Sequence, residues 1–250
     1  MMNEINGLIG IIPDWPAPLN VKAFSTTRLG GVSRHPYESL NLASHVADNP
    51  VEIEVNRNIL IDKLSLPSSP FWLEQVHGVD AVRIQATSTA NTADASFTNE
   101  PNRVCAVLTA DCLPVLITDV SGTIVCAVHA GWKGLCAGVL ENTIAQLPTS
   151  DALMAWIGPC IGKDVFEVDD VVREQFVAQH QAASSAFVAN REGHWLADLV
   201  TLAKLRLQAV GVQQIYGGHY CTYQDAKHFF SYRRDGITGR MATMIWMTDE

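Results

Sequence analysis

The stretch Leu108-Thr-Ala-Asp-Cys-Leu-Pro-Val-Leu-Ile-Thr-Asp-Val-Ser-Gly-Thr-Ile-Val-Cys-Ala-Val-His-Ala-Gly-Trp132 contains two apolar runs separated by a turn. Leu113 to Thr118 and Thr123 to Val128 have strand character, and Asp119 to Gly122 reads as a turn. The pattern predicts a hairpin. Cys112 precedes its first strand and His129 follows its second, so pairing returns both residues to one edge. A third apolar run, Val104 to Thr109, leads into the same corner.

Working outward, Val21 to Thr27 reads as a strand entering a turn at Gly30 and Gly31. Val51, Val55, Ile59, Leu60 and Leu64 recur at helical spacing until Pro67 stops the pattern. Phe71 to His77 reads as extended, and Ala86 to Ala95, small and polar, as a surface loop. Leu135, Val139, Leu140, Ile144 and Leu147 trace one face of a helix from Lys133 to Leu147. Ala155 to Ile157 is a further strand. Asp169 to Gln181 and Asp198 to Val210 are helices, the second capped by Asp198 and ended at Gly211. Met241 to Met247 is a final strand. Strands and helices intermix without regular βαβ alternation. The expected class is therefore α+β, with mixed β-sheets packed with helices in a single domain over 1–250.

Composition narrows the function. A net charge of −9 argues against a nucleic-acid or anionic-lipid partner. The N-terminus lacks the charged and apolar regions of a signal peptide, and no apolar run is long enough to span a membrane. A cytoplasmic location is expected. Six cysteines without C-x-x-C spacing make a disulfide framework improbable in that compartment. Cys105, Cys126 and Cys136 are assigned to the core, and His35, His45, His180, His194, His219 and His228 to structural roles. No G-x-G-x-x-G, Walker A or G-x-S-x-G motif occurs.

A thiol beside an imidazole admits two chemistries: a nucleophile with its base, or two ligands of a soft or borderline metal. His77, at the end of another extended segment, could complete a His-Cys-His set with a fourth position open.

Several further segments carry a family resemblance: Phe24-Ser-Thr-Thr-Arg-Leu-Gly-Gly-Val-Ser33, Ser39-Leu-Asn-Leu42, Gln75-Val-His-Gly78, Leu108-Thr-Ala-Asp-Cys-Leu-Pro-Val115, Val128-His-Ala-Gly-Trp132, Ile157-Gly-Pro-Cys-Ile-Gly162, and Phe229-Phe-Ser-Tyr-Arg-Arg-Asp-Gly236 with Thr238-Gly-Arg240. In this order they resemble the YfiH/YlmD family, also known as DUF152. Its members bear the labels laccase-domain or polyphenol oxidase and purine nucleoside phosphorylase, and human FAMIN carries the same domain. The resemblance implies a fold related to the cytotoxic necrotizing factor catalytic domain. It also implies a metal, zinc or copper, on His77, Cys112 and His129. The implied activities are phosphorolysis of adenosine, inosine and methylthioadenosine, and deamination of adenosine; separately, a monomer is expected. Cys112, His129 and Asp111 are then the catalytic candidates, and Arg28 and Lys133 the phosphate binders. Lys133 stands where the family commonly has Arg, and Ala47 where it commonly has Gly. A copper-dependent polyphenol oxidoreductase and a cysteine hydrolase or amidase using Cys112 and His129 are the alternatives. Against a four-copper laccase stand eight histidines, none spaced H-x-H.

Overall fold

The computed structural model describes residues 2–86, 88 and 91–249. Thr87, Thr89 and Ala90, within the stretch read as a surface loop, lie outside the described residues. Strands are numbered in chain order. One sheet has the order β1 (Met2–Ile5), β2 (Leu8–Ile11), β3 (Val21–Thr26), β14 (Met241–Met247), β6 (Cys105–Thr109), and every neighbouring pair is antiparallel. A second has the order β13 (Gln214–Gly217), β9 (Leu153–Ile157), β7 (Leu113–Asp119), β8 (Val125–Ala130), β5 (Ala95–Thr98), β4 (Ala81–Arg83). It is mixed: both outer pairs are parallel and the inner ones antiparallel. A small antiparallel sheet joins β10 (Glu167–Asp169), β12 (His194–Ala197) and β11 (Phe187–Arg191).

Side-chain alternation along the central strands sorts the core into layers. In β6, Cys105 and Val107 pack between the two large sheets with Leu116 of β7 and Val125 and Ala127 of β8. Ala106 and Leu108 face the opposite way, onto Leu60 of helix α1 (Pro50–Leu64). Val115, Ile117, Cys126 and Val128 face the outer side of the second sheet, against α2 (Trp132–Ala137), α3 (Val139–Ile144), α4 (Asp170–Gln179) and α5 (Leu199–Ala209). The result is helix, sheet, sheet, helices. Strands buried on both faces read as continuous apolar runs, which is why these segments were conspicuous in the sequence. A slip of one residue would exchange the two faces, and each fully buried Val, Leu or Ile contributes about 1.5–3 kcal/mol, so the register is firmly set.

The expected strands, the capped helix at Asp198 and the helix after Asn49 are present. Four expectations need correction. β8 starts at Val125 and runs to Ala130, because the Asp119 carboxylate accepts from the backbone N–H and hydroxyl of Thr123 and lengthens the turn. The helix expected from Lys133 to Leu147 is two short helices, broken where Gly138 takes φ 101°. The helix expected to reach Gln181 ends at Gln179 and gives way to a 3-10 turn. The loop ending at Ala95 is also not wholly superficial, since Ala93, Asp94 and Ala95 are buried. Ala47 has φ 62°, a conformation that favours glycine. The six cysteines are all free, and no helix among the described residues is long and apolar enough to cross a membrane.

Replacing Gly138 by Ala distinguishes the kink from a continuous helix by sign. A continuous helix would gain about 1 kcal/mol. The left-handed junction should instead lose about 1–3 kcal/mol, read as a lower urea midpoint.

Candidate active site

Three residues, Ala110 to Cys112, carry the chain from β6 in the first sheet to β7 in the second. Such a short crossing demands an unusual backbone, and Asp111 supplies it with φ 88°. Its carboxylate accepts from the Thr222 hydroxyl and the Arg233 backbone N–H, both at 2.6 Å. Asp111 thus anchors the segment carrying helix α6 (Tyr232–Asp235) under the site, and both of its carboxylate oxygens already have protein partners.

The hairpin brings Cys112 and His129 together as its sequence implied, with a shift. β8 extends past His129, so Leu113 pairs with Ala130 and Pro114 with His129. The position opposite Cys112 is therefore Gly131. A Cβ there would lie 2.8 Å from His77 Cδ2, 3.2 Å from Cys112 Sγ and 3.5 Å from His129 Cε1. Only glycine leaves these three side chains room to converge. His77 is exposed, with φ 59°, and its Nε2 lies 3.8 Å from Cys112 Sγ. The His77 and His129 rings meet edge to face at 4.8 Å. One donor atom from each of the three residues falls within 4.8 Å of the others.

Asp94, which the sequence reading passed over, fixes this geometry. It is fully buried at the entrance to β5. Its Oδ1 accepts from His129 Nδ1 at 2.8 Å and from the His77 backbone N–H at 2.9 Å. Its Oδ2 accepts from the N–H groups of Gly78 at 2.6 Å and Val76 at 3.3 Å. Burial alone would raise its pKa, but the His129 bond and the Gly78 and His77 N–H groups bring it below the ordinary carboxylate value. With Nδ1 bonded to a carboxylate, His129 turns Nε2 toward Cys112, the orienting arrangement common to metal-bound histidines.

Burial pushes the Cys112 thiol up, yet the charge and hydrogen bonds of His129, with those of His77, bring it down to about 6. Burial opposes the charge on His129, but the Cys112 thiolate and Asp94 raise it to about 9. Each group thus favours the charged form of the other. A dense N, S donor set, an oriented ring and a ready thiolate fit a zinc-type or copper ion, whose binding would release the His129 proton. Among the described residues this is the one group of three such donors.

Two clefts flank the cluster. One, about 390 Å³, is lined by Gln75, Leu108, Thr109, Ala110, His45 and Arg240 beside the three donors and Tyr232. The other, about 420 Å³, shares His77, Ala110, Cys112 and Tyr232 and adds Trp132, Lys133, Phe166 and Arg233. Both sizes suit small molecules. Lys133, exposed, lines the second cleft. Arg28 does not line either cleft. Its Nε donates to the Glu38 carbonyl and Nη1 to that of Ala226, its guanidinium covers the Phe230 ring, and it borders a separate depression with His35 and Asp235. His45, read as structural, faces the first cleft; burial, then the charges of Arg240 and Arg57, lower its pKa. Arg240 belonged to a quoted motif, but nothing in the sequence indicated that it faces the cluster.

Layering and donor cluster together define the class: a two-sheet α+β protein with a His-Cys-His centre where its sheets meet. The chain belongs to the YfiH/YlmD (DUF152) family, and matches the family description "Multi-copper polyphenol oxidoreductase laccase" over residues 22–248. It is 53% identical over 239 residues to "Purine nucleoside phosphorylase YfiH" of Shigella flexneri, covering 95% of this chain and 98% of that one. It is 48% identical over 241 residues to a purine nucleoside phosphorylase of Pseudomonas aeruginosa, covering 96% and 98%. A crystal structure of a Neisseria meningitidis DUF152 protein superposes with a TM-score of 0.91 at 47% identity, covering 96% of this chain and 99% of that one. That of YlmD from Geobacillus stearothermophilus gives 0.85 at 31% identity, covering 94% of each.

Two outcomes test the site. Asp94→Asn removes the charge that orients His129 and should weaken zinc binding about 10- to 100-fold in chelator competition, with the fold retained by circular dichroism. In metal-free protein, a lowered thiol pKa means that thiolate persists at neutral pH and is lost as pH falls through about 6. Iodoacetamide labelling of Cys112 should drop across that range, and a midpoint near the ordinary thiol value would contradict the pairing.

Proposed function

We propose that this chain is a metal-dependent purine nucleoside enzyme that cleaves adenosine, inosine and methylthioadenosine with phosphate and also deaminates adenosine. The observation that carries the reading is the meeting of two small-molecule clefts on one donor cluster, as a reaction between two substrates requires. The names of the relatives supply the substrate class.

In phosphorolysis a phosphate oxygen forms a bond to C1′ while the C1′–N9 bond breaks, its electron pair leaving with the purine. The proton of hydrogen phosphate ends on the purine, giving free base and ribose 1-phosphate. Deamination exchanges the 6-amino group for oxygen from water and releases ammonia. His77, Cys112 and His129 would hold the ion, which when bound supplies Lewis acidity. Around it, the chain's own groups do the positioning. Arg240 on one side, and Lys133 and Arg233 on the other, bring positive charge to the cluster. Leu108, Ala110, Trp132 and Phe166 limit water at the reacting carbon. Asp94 keeps His129 oriented.

A second reading has specific support. Asp94, His129 and Cys112 form a carboxylate, imidazole, thiolate relay, the arrangement of a cysteine hydrolase. The family's copper-oxidase label finds less, since a single three-donor group occurs among the described residues.

One experiment separates these readings: incubate metal-analysed protein with adenosine, with and without phosphate, then quench for product identification and intact mass. The proposal expects adenine and ribose 1-phosphate only with phosphate, inosine in either case, and no adduct on Cys112. Ribose in place of ribose 1-phosphate would refute the phosphorylase, and a covalent Cys112 species would favour the hydrolase.

A further inference from the structure

The two clefts differ in chemistry. In a chain of net charge −9, the His45 and Arg240 cleft has no carboxylate among the described residues that line it. Arg240 is half-buried, and its Nη1 is fixed by the carbonyls of Thr238 and Gly239 at 2.8 and 3.0 Å. Its Nε and Nη2 carry no hydrogen bond among the described residues, and neither does the His45 ring. A braced guanidinium with free donors beside an imidazole suits a compact oxyanion.

The opposite cleft has aromatic walls in Trp132, Phe166 and Tyr232, with Ile161 and Leu199. Its cations sit over rings, Lys133 at 5.8 Å from the Trp132 centroid and Arg233 at 5.3 Å from that of Phe166 while donating to the Glu167 carbonyl, as Arg240 does at 5.9 Å from that of Tyr232. The Asp111 carboxylate also lines this side. Such a surface suits a flat heterocycle better than a dianion.

Displacement at C1′ places the entering oxygen and the departing nitrogen on opposite sides of the carbon. Resting on the purine nucleoside reading, we propose that phosphate occupies the His45 and Arg240 cleft and the purine the Trp132 and Phe166 cleft, with C1′ at their shared wall of His77, Cys112 and Tyr232. Arg240, rather than Arg28 or Lys133, is then the principal phosphate-binding side chain. Trp132 is a principal contact of the base.

The test is a steady-state comparison on zinc-loaded protein with inosine and inorganic phosphate varied independently. Arg240→Met should raise KM for phosphate at least 10-fold and change KM for inosine less than 3-fold, with Arg240→Lys in between. Trp132→Ala should give the reverse. Because Arg240 also braces the Thr238 turn, a variant-free measurement accompanies it. In the wild-type protein, inorganic phosphate should shift the His45 imidazole resonances, and inosine alone should shift the Trp132 indole N–H. Crossed results, with phosphate acting at Trp132 or Arg240→Met raising both KM values equally, would overturn the assignment and leave the phosphorylase reading standing. A wild-type protein that releases no hypoxanthine with phosphate would overturn both.

Discussion

Four hydrogen bonds converge on the Asp94 carboxylate, and the arrangement of the donor cluster depends on them. Three come from successive N–H groups of Val76, His77 and Gly78, and hold His77 in a backbone conformation that a free loop would rarely populate. The fourth comes from the His129 ring. Two histidines 52 positions apart in the chain are thereby referred to one buried anion. The Asp94 backbone takes part as well, since its carbonyl accepts the His129 N–H at 2.7 Å. The carboxylate stays charged in a buried position because every one of these partners favours its ionised form.

Gly131 is the steric counterpart of that electrostatic anchor. Any side chain there would enter the space where three donor side chains meet. Gly134, one helical turn on, performs a related service: a Cβ would lie 2.6 Å from the Gly78 carbonyl, so α2 can rest directly on the loop behind His77. His-Ala-Gly-Trp is thus a packing solution as much as a chemical one. It admits a ligand strand, a bare corner and an aromatic wall in four residues.

Much of this was legible in advance where local pattern and tertiary structure agree. The doubly buried strands were long apolar runs, and hairpin closure alone placed Cys112 near His129. Their offset was not legible, because a side-chain bond from Asp119 decides where the turn ends. β4, β5 and β10 to β13 are short, and Ala95-Ser-Phe-Thr98 has one large apolar residue to signal a strand. Asp94 escaped notice for the reason that makes it important. In sequence it ends a polar stretch and looks like a loop acid; only the pairing of β5 with β8 buries it beside His129. Arg28 is the opposite case, a well-placed motif arginine that bonds its neighbouring loops and lines neither cleft. Periodicity reports which face of an element is buried, and it is silent about which distant side chains share a partner.

The crossing at Ala110 to Cys112 has a consequence for how such a protein can vary. His77, Asp94, Cys112 and His129 belong to the second sheet and its adjoining loop, whereas His45, Leu108 and Arg240 belong to the first sheet and the segments flanking it. The wall with His45, Leu108 and Arg240 is therefore carried on a different slab from the reactive centre, whereas Trp132 lies on the same slab as the donors. Changes on the first slab more than about 7–10 Å from the donors should combine additively with changes at the centre. A scaffold divided in this way can exchange one set of ligand preferences for another while its chemical apparatus stays in place.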